Sequence, residues 1–338
     1  MKVVQFPLRP MSHFHFGEIA QDNKSNMATT SAFPHSDTLF SALINSYAQT
    51  HDTNETDAFV DDFNQGKSLI SSMFYYLNTG NNKVYFLPKP LTYNIQEIEN
   101  KFYKQFKEIK FISVGVWEKI SDTNDFFKNE VCSIIQGAFV ILKDELNDLP
   151  ANRVKIYHKV TQPKVPIRFI DEDATIYFET GIEIADNSAI SDQIEIGYYF
   201  LYQSKEESRL KEAINLMAIN GIGGGVSTGA GALSNPIFDN LSIFDFSTFS
   251  SSENYCCISL SIPKDQEDFK CFELYEATIR GGRKMEVGKQ NFIRMIKEGA
   301  IVMKKAEGKL VEIGKDEQGN SVVRNGKCFI LPIKEYKK

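Results

Sequence analysis

Six glycines fall within eleven residues, Gly221-Ile-Gly-Gly-Gly-Val-Ser-Thr-Gly-Ala-Gly231, directly after an amphipathic stretch in which Leu210, Ile214 and Met217 keep a helical period. Glycine loses more backbone freedom on ordering than any other residue. A folded chain therefore concentrates it where backbone takes a positive φ or comes very close to a neighbour. Beside a helix end such a segment has two readings: a flexible surface connection, or a row of bare backbone N–H groups offered to a phosphate.

Spacing excludes the small-nucleotide motifs. No window reads G-x-G-x-x-G, because the sixth position is Val226 counted from Gly221, Thr228 from Gly223 and Ser234 from Gly229. Gly66-Lys67-Ser68 ends like a P-loop, but Asp61 stands where the opening glycine is required, so the segment reads as a turn. Ser227 and Thr228 can assist the loop amides, yet the loop holds no lysine. That suits the phosphodiester backbone of a polymer better than a triphosphate, which calls for a cation on its terminal phosphates.

With 338 residues, 42% hydrophobic and 24% charged, the chain has room for two globular units with sizeable cores. It contains no run of eighteen apolar residues and no signal-peptide pattern after Met1, which predicts a cytoplasmic protein. Its five cysteines form no C-x-x-C pair and read as reduced core residues. The net charge of −6 argues against indiscriminate coating of nucleic acid, but the positive charge is unevenly spread. Arg153, Lys155, Lys159, Lys164 and Arg168 share a window without acids, and Arg280 to Lys305 is a second basic window. Both are candidate phosphate tracks. Lys101, Lys104, Lys107 and Lys110, spaced by three with aromatics between, read as one solvated helix face.

The element pattern predicts an α+β fold. Lys2 to Arg9 alternates as a strand, with Pro7 placing it at an edge or a bulge. Ser36 reads as the N-cap of a helix ending near Gln49. Strands are predicted at 69–77 and 84–87, and helices at 95–107 and 126–140. Prolines bracket a basic, β-prone stretch from Pro150 to Pro166. The division that follows is a first unit at 1–150, a basic linker or projecting hairpin at 151–170, and a second unit at 171–338 carrying the glycine loop. In the second unit strands are predicted at 174–178, 193–202, 255–262, 271–280, 300–304 and 328–333, with helices at 206–219 and 290–298.

Catalytic constellations are thin. His13 and His15 would share a face of a strand, but no carboxylate or cysteine supports them as a metal pair. His51-Asp52 has no further ligands, and no nucleophile-elbow serine occurs. His35, beside Ser36 and Asp37, and His158 are the places where a general base could act on a 2′-hydroxyl. The other reading of His35 is that it leads into the helix and contacts RNA or protein. No cofactor is implied.

Four blocks then converge: Phe16-Gly17-Glu18, His35-Ser-Asp-Thr-Leu-Phe-Ser-Ala-Leu43, the loop 221–231, and Arg280-Gly-Gly-Arg283 followed by Ile296-Lys-Glu-Gly299. Together they resemble the RAMP superfamily, and more narrowly its Cas-five-like group, the family of the fourth subunit of Csm (type III-A) CRISPR effector complexes. The blocks lie near the start, two-thirds along and close to the end, so the resemblance covers essentially the whole chain. It implies two RRM-like, ferredoxin-like (βαββαβ) domains. It also implies a non-catalytic antiviral-defence subunit that grips the 5′ handle of the CRISPR RNA, seats the large polymerase/cyclase-type subunit, and touches the first backbone subunit of the neighbouring RAMP filament. A metal-independent endoribonuclease that processes repeat RNA is the alternative within the same superfamily. A small-molecule enzyme holding a nucleotide phosphate on the loop is a third reading. The RNA contacts expected on the first are His35, Ser36, Arg153, Lys155, Lys159, Gly221, Gly223, Gly224, Gly225, Ser227, Thr228, Gly229, Gly231, Arg280 and Arg283. The chain departs from the family in having no basic residue inside the loop, and Tyr157-His158-Lys159 stands where many relatives have an Asp-Arg pair.

Overall fold

The computed structural model describes residues 1–18, 29–94, 96, 98–147, 149–164, 176–239, 254–281, 283–284, 288–289, 291–315 and 319–334, with the side chains of 283–284 and 288–289 outside the description. It is a mixed α+β structure. The first strand, Lys2–Leu8, is built from β-prone residues, and almost all of it is buried because partners cover it on both sides. It pairs antiparallel with Glu195–Ser204 along its whole length and with Ile237–Asp239 at Val3, Val4 and Gln5. It is therefore an interior strand, not an edge. Pro7 is tolerated because it lies beyond the short second partner, where no ladder bond is needed from its nitrogen.

From this strand the large sheet runs through Glu195–Ser204, Phe74–Asn78, Lys83–Pro88, Phe111–Ser113, Phe139–Leu142 and Cys132–Ile135, with Ser68–Ile70 also on Glu195–Ser204. All neighbours are antiparallel except Phe111–Ser113 with Phe139–Leu142. The helices Ser36–Ala48 and Glu207–Asn220 pack on each other. Residue 150 does not separate two sheets as the sequence suggests, because Glu195–Ser204 sits between the strands Lys2–Leu8 and Phe74–Asn78. Four strands alternate with these two helices in the chain, and across the sheet they lie in the order last, first, third, second.

The C-terminal region repeats that order. Its sheet runs Ile330–Pro332, Tyr255–Cys257, Ile301–Val302, Phe272–Leu274, with the four-residue helix Gln266–Phe269 between its first two strands in the chain. The predicted helix at 290–298 is instead the strand Ile293–Ile296, paired with Ala277–Arg280. A long hairpin, Gly308–Lys315 with Ser321–Lys327, completes the region. One further prediction fails. The expected helix at 126–140 is a β-hairpin, Cys132–Ile135 with Phe139–Leu142, turned by Gln136 and Gly137 at φ 54° and 71°. Two consecutive left-handed residues make the turn that matches strand twist. A helix at Thr53–Asn64, opened by an Asp52–Glu55 capping box, has no counterpart among the predicted elements.

One apolar core joins the parts. Phe6, Phe14, Tyr75, Tyr198 and Phe200 belong to the same buried cluster as Cys256, Ile301, Phe329 and Leu331. Trp117 ties the two regions again, its indole Nε1 donating to the Pro332 carbonyl at 3.0 Å. Each such aromatic contributes about 1.5–3 kcal/mol when buried, so the two sheets are held as one body.

Candidate nucleic-acid interface

The glycine loop starts where the helix Glu207–Asn220 stops. Gly221 takes φ 86°, which ends the helix, and its N–H still reaches the Met217 carbonyl at 2.8 Å. Ile222 is buried and anchors the turn, its N–H bonded to the Gly231 carbonyl at 2.9 Å. The loop is then strapped to the His13–Phe14 segment at two points. Gly224 donates to the His15 carbonyl at 2.8 Å and Gly231 to the His13 carbonyl at 2.7 Å. What projects between these straps is 225–229, all exposed.

The glycines divide by what they approach. A Cβ on Gly223, at φ 94°, would lie 2.5 Å from the His15 carbonyl oxygen, and one on Gly231 would lie 2.3 Å from the Ile222 carbonyl oxygen. One on Gly224 would meet the His15 ring at 2.9 Å. These three, with Gly221, are required by the loop's own packing. The close neighbour of Gly223 in this structure is the chain's own His15 carbonyl. Gly225 and Gly229 also have positive φ, but Gly229 faces open space with nothing within 4 Å. Thr228 Oγ1 donates to the Gly225 carbonyl at 2.9 Å, closing the tip, and Ser227 stands exposed. Gly225 is left-handed and Val226 begins a 3-10 turn. That sequence of conformations is one in which three successive N–H groups, here those of Gly225, Val226 and Ser227, can converge on an anion. Among the described residues they have no protein acceptor.

Beside the loop stands the antiparallel pair Tyr157–Lys164 and Tyr177–Ile184, with His13–Phe14 on the far side of Tyr177–Ile184. His15 Nδ1 bonds the Thr180 carbonyl at 2.9 Å, fixing loop, strand and hairpin to one another. Arg153, His158 and Lys159 are exposed and Lys155 is half-buried. Lys159 Nζ lies 3.4 Å from the Thr30 carbonyl, and Lys164 pairs with the buried Glu179. Arg168 lies outside the described residues, as does the side chain of Arg283.

His35, Ser36 and Arg280 are elsewhere, in a buried junction. Arg280 holds Asp37 through Nε at 2.9 Å and Nη2 at 3.1 Å, and reaches the Gly17 carbonyl at 3.5 Å. Arg324 Nη1 adds a third bond to Asp37 at 2.7 Å. His35 Nδ1 meets Glu298 Oε1 at 2.8 Å and Nε2 meets Ser31 at 3.1 Å. Ser36 is fully buried and does not cap its helix by its side chain. Its hydroxyl accepts from the Leu260 N–H at 2.9 Å, and its own N–H donates to Ser72, which donates to Glu298. Burial pushes the Asp37 carboxyl up, but Arg280 and Arg324 outweigh it and hold the group well below the usual carboxylate range. Glu298 is likewise lowered, burial being outweighed by His35 and Ser72. The assignment of these three residues to an RNA contact is corrected accordingly: residues only 8%, 0% and 7% exposed cannot present themselves to a polymer. Arg324 carries no signal in the sequence, where it sits alone between valine and asparagine.

The residues around 17, 35, 280 and 298 that carry the family resemblance thus form one joint between the two sheets. Among the described residues no cluster of three or more His, Cys, Asp or Glu could hold a metal ion, and no helix is long and apolar enough to cross a membrane.

The family model for the CRISPR Csm4 C-terminal domain matches residues 250–333. A relative from Methanocaldococcus jannaschii, described as CRISPR system Cms protein Csm4, is 24% identical over 317 residues, covering 83% of this chain and 79% of its own length. One of the same description from Thermococcus onnurineus is 27% identical over 201 residues, 59% of this chain and 61% of its own. The Csm3–Csm4 subcomplex of the type III-A CRISPR-Cas interference complex contains a chain of the same fold, with TM-score 0.71 at 20% identity over 99% of this chain and 100% of that one. A chain of the Csm1–Csm4 cassette in complex with cA4 gives a TM-score of 0.57 at 20% identity, over 100% and 99%.

Proposed function

We propose, from the premise that this chain belongs to the Csm4 family, that it is a non-catalytic RNA-binding subunit of a type III-A CRISPR effector complex. It holds the 5′ handle of the CRISPR RNA and seats the large subunit. The observation that carries the reading is the exposed tip 225–229, whose three successive amides have no protein acceptor among the described residues and lie beside a basic hairpin. Backbone amides recognise a phosphate without reading sequence, and scattered cations supply the rest of the grip. The commitment of His35 to Ser31 and Glu298 counts against one of the two candidate bases of the endoribonuclease alternative, because a general base must reach its substrate, and leaves His158 as its other candidate.

On this reading the strand order shared by the two sheets is an RRM-like plan used twice. The first copy takes strands from 2–8 to 237–239 with the hairpin inserted between its second and third strands, and the second copy is 254–334. The solved relatives are complexes with Csm3 and with Csm1, and we assign this chain equivalent neighbours, a backbone subunit and the large subunit.

Two substitutions at one position test the grip. Gly229→Asn and Gly229→Asp impose the same backbone strain in open space, about 1 kcal/mol, and differ only in charge. In complexes purified from cells the aspartate variant loses guide RNA while the asparagine variant keeps most of it. Equal guide RNA in both overturns the phosphate reading of the loop.

A further inference from the structure

The loop holds no cation, and a phosphate on three bare amides is bound more firmly where one stands close by. An acidic oxygen stands beside the loop tip: Glu179 Oε1 lies 3.9 Å from where a Cβ on Gly225 would sit. Glu179 is 4% exposed, and a carboxylate so placed opposes a phosphate at the same amides. Its partner is Lys164, which reaches across the hairpin from the adjacent strand. The lysine side chain remains 35% exposed while that of Glu179 is 5% exposed, so the lysine is the member of the pair that solvent and ligands meet.

We infer that Lys164 is the cation the glycine loop lacks: Glu179 holds it at the loop tip and shares it with an RNA phosphate seated on the Gly225–Ser227 amides. Glu179 is thereby a positioning residue that also tempers affinity. Its side-chain oxygen aims the lysine, as a Gln amide oxygen also can, while its charge competes with the phosphate for it. The inference rests on the phosphate grip proposed above and adds its charged component. Hairpin and loop are kept in this relation by the His15 bonds to Thr180 and Gly224.

The two residues predict opposite effects, which an ordinary structural ion pair does not. Binding of a labelled single-stranded RNA carrying the repeat-derived 5′ handle is measured on the full chain across a salt series, with thermal melting of each variant alongside. Lys164→Gln weakens binding about tenfold at low salt and lowers the slope of log K against log salt by about 0.7. Lys164→Arg retains both. Glu179→Gln, which keeps the shape and removes the competing charge, tightens binding. If Glu179→Gln weakens binding as Lys164→Gln does, or if neither changes it, the inference is overturned and the pair is a clasp for the hairpin. The Gly229 pair read in the same assay separates this from failure of the loop reading itself. Loss of RNA by Gly229→Asp with no gain by Glu179→Gln defeats only the role of Lys164, whereas retention by Gly229→Asp defeats the loop.

Discussion

Arg280 grips Asp37 across 243 residues of sequence with two prongs, at 2.9 and 3.1 Å, and Arg324 closes on the same carboxylate at 2.7 Å. All three are buried, so one carboxylate is shared by two guanidiniums that have lost their water and offsets one of their two charges. Asp37→Asn keeps the shape and leaves both positive charges facing each other. We expect it to lower stability by about 3–5 kcal/mol, read as a drop in the thermal midpoint of the isolated chain. No loss would mean that the joint contributes nothing to holding the sheets together.

The same pair sets an acid dependence. The folded Asp37 carboxyl is held below its unfolded value, which is about 3.9. Its contribution is therefore complete above about pH 5 and is lost as the pH falls through about 3.9 toward the lower folded value. Glu298 is shifted the same way and adds to the loss. Denaturant melts from about pH 6 to about pH 3 should show the parent chain losing stability faster than Asp37→Asn, so that the two curves approach each other in acid. Parallel curves would show that Asp37 is not the linked group.

His35→Ala removes the ring partner of Glu298, whose side chain is 3% exposed, and leaves Ser72 as its remaining side-chain partner. The cost is about 1–3 kcal/mol in melting. Guide RNA from cells carrying the variant should have normal ends, since the histidine serves the joint. Uncut precursor in an otherwise assembled complex would restore the ribonuclease reading.

What sequence can show, and what it cannot, follows from the range of the interactions. The positive φ at Gly223, Gly225 and Gly229 is a local necessity and is legible in composition. The helix after Glu206 is equally plain, and it ends at the first glycine. By contrast, the register of Lys2–Leu8 on Glu195–Ser204 is set by strands almost two hundred residues apart, and no local pattern encodes it. The hairpin at Cys132–Leu142 hides behind an apolar run that fits either period, although Gly137 and the β-branched residues around it are a usable signal. Arg280 shows the limit for sites. A basic residue in a basic window looks like a phosphate ligand until its buried partner is seen, and Asp37 lies in a different part of the chain.

Arg153, Lys155 and Lys159 remain candidates for the phosphate track. Two are exposed, the bonds of Lys155 to Asn187 are made by its backbone, and Lys159 Nζ makes one long contact, 3.4 Å to the Thr30 carbonyl, so the side chains contribute little to folding. Changing all three to glutamine should leave the melting temperature nearly unchanged. It should weaken handle RNA binding and lower the salt slope by about 0.7 for each phosphate that is no longer neutralised. An unchanged slope would take this part of the hairpin out of the RNA path.

Gly223 and Gly229 make the sharpest contrast, because the same chemical change has different physical consequences at each. At Gly223 the added methyl of alanine meets the His15 carbonyl oxygen at 2.5 Å in a left-handed backbone, and the strap from Gly224 to that same oxygen must give way. Gly223→Ala should therefore detach the loop from the His13–Phe14 segment and raise amide exchange across 221–231. RNA should be lost through disorder, not repulsion, and high salt would not make the variant and parent converge. At Gly229 the methyl enters open space and only the φ of 89° is strained, so Gly229→Ala should cost about 1 kcal/mol and keep RNA. Hydrogen exchange and RNA binding measured on the two variants together decide the matter. If Gly229→Ala loosens the loop as much as Gly223→Ala, the straps to His13 and His15 are not what holds the tip in place.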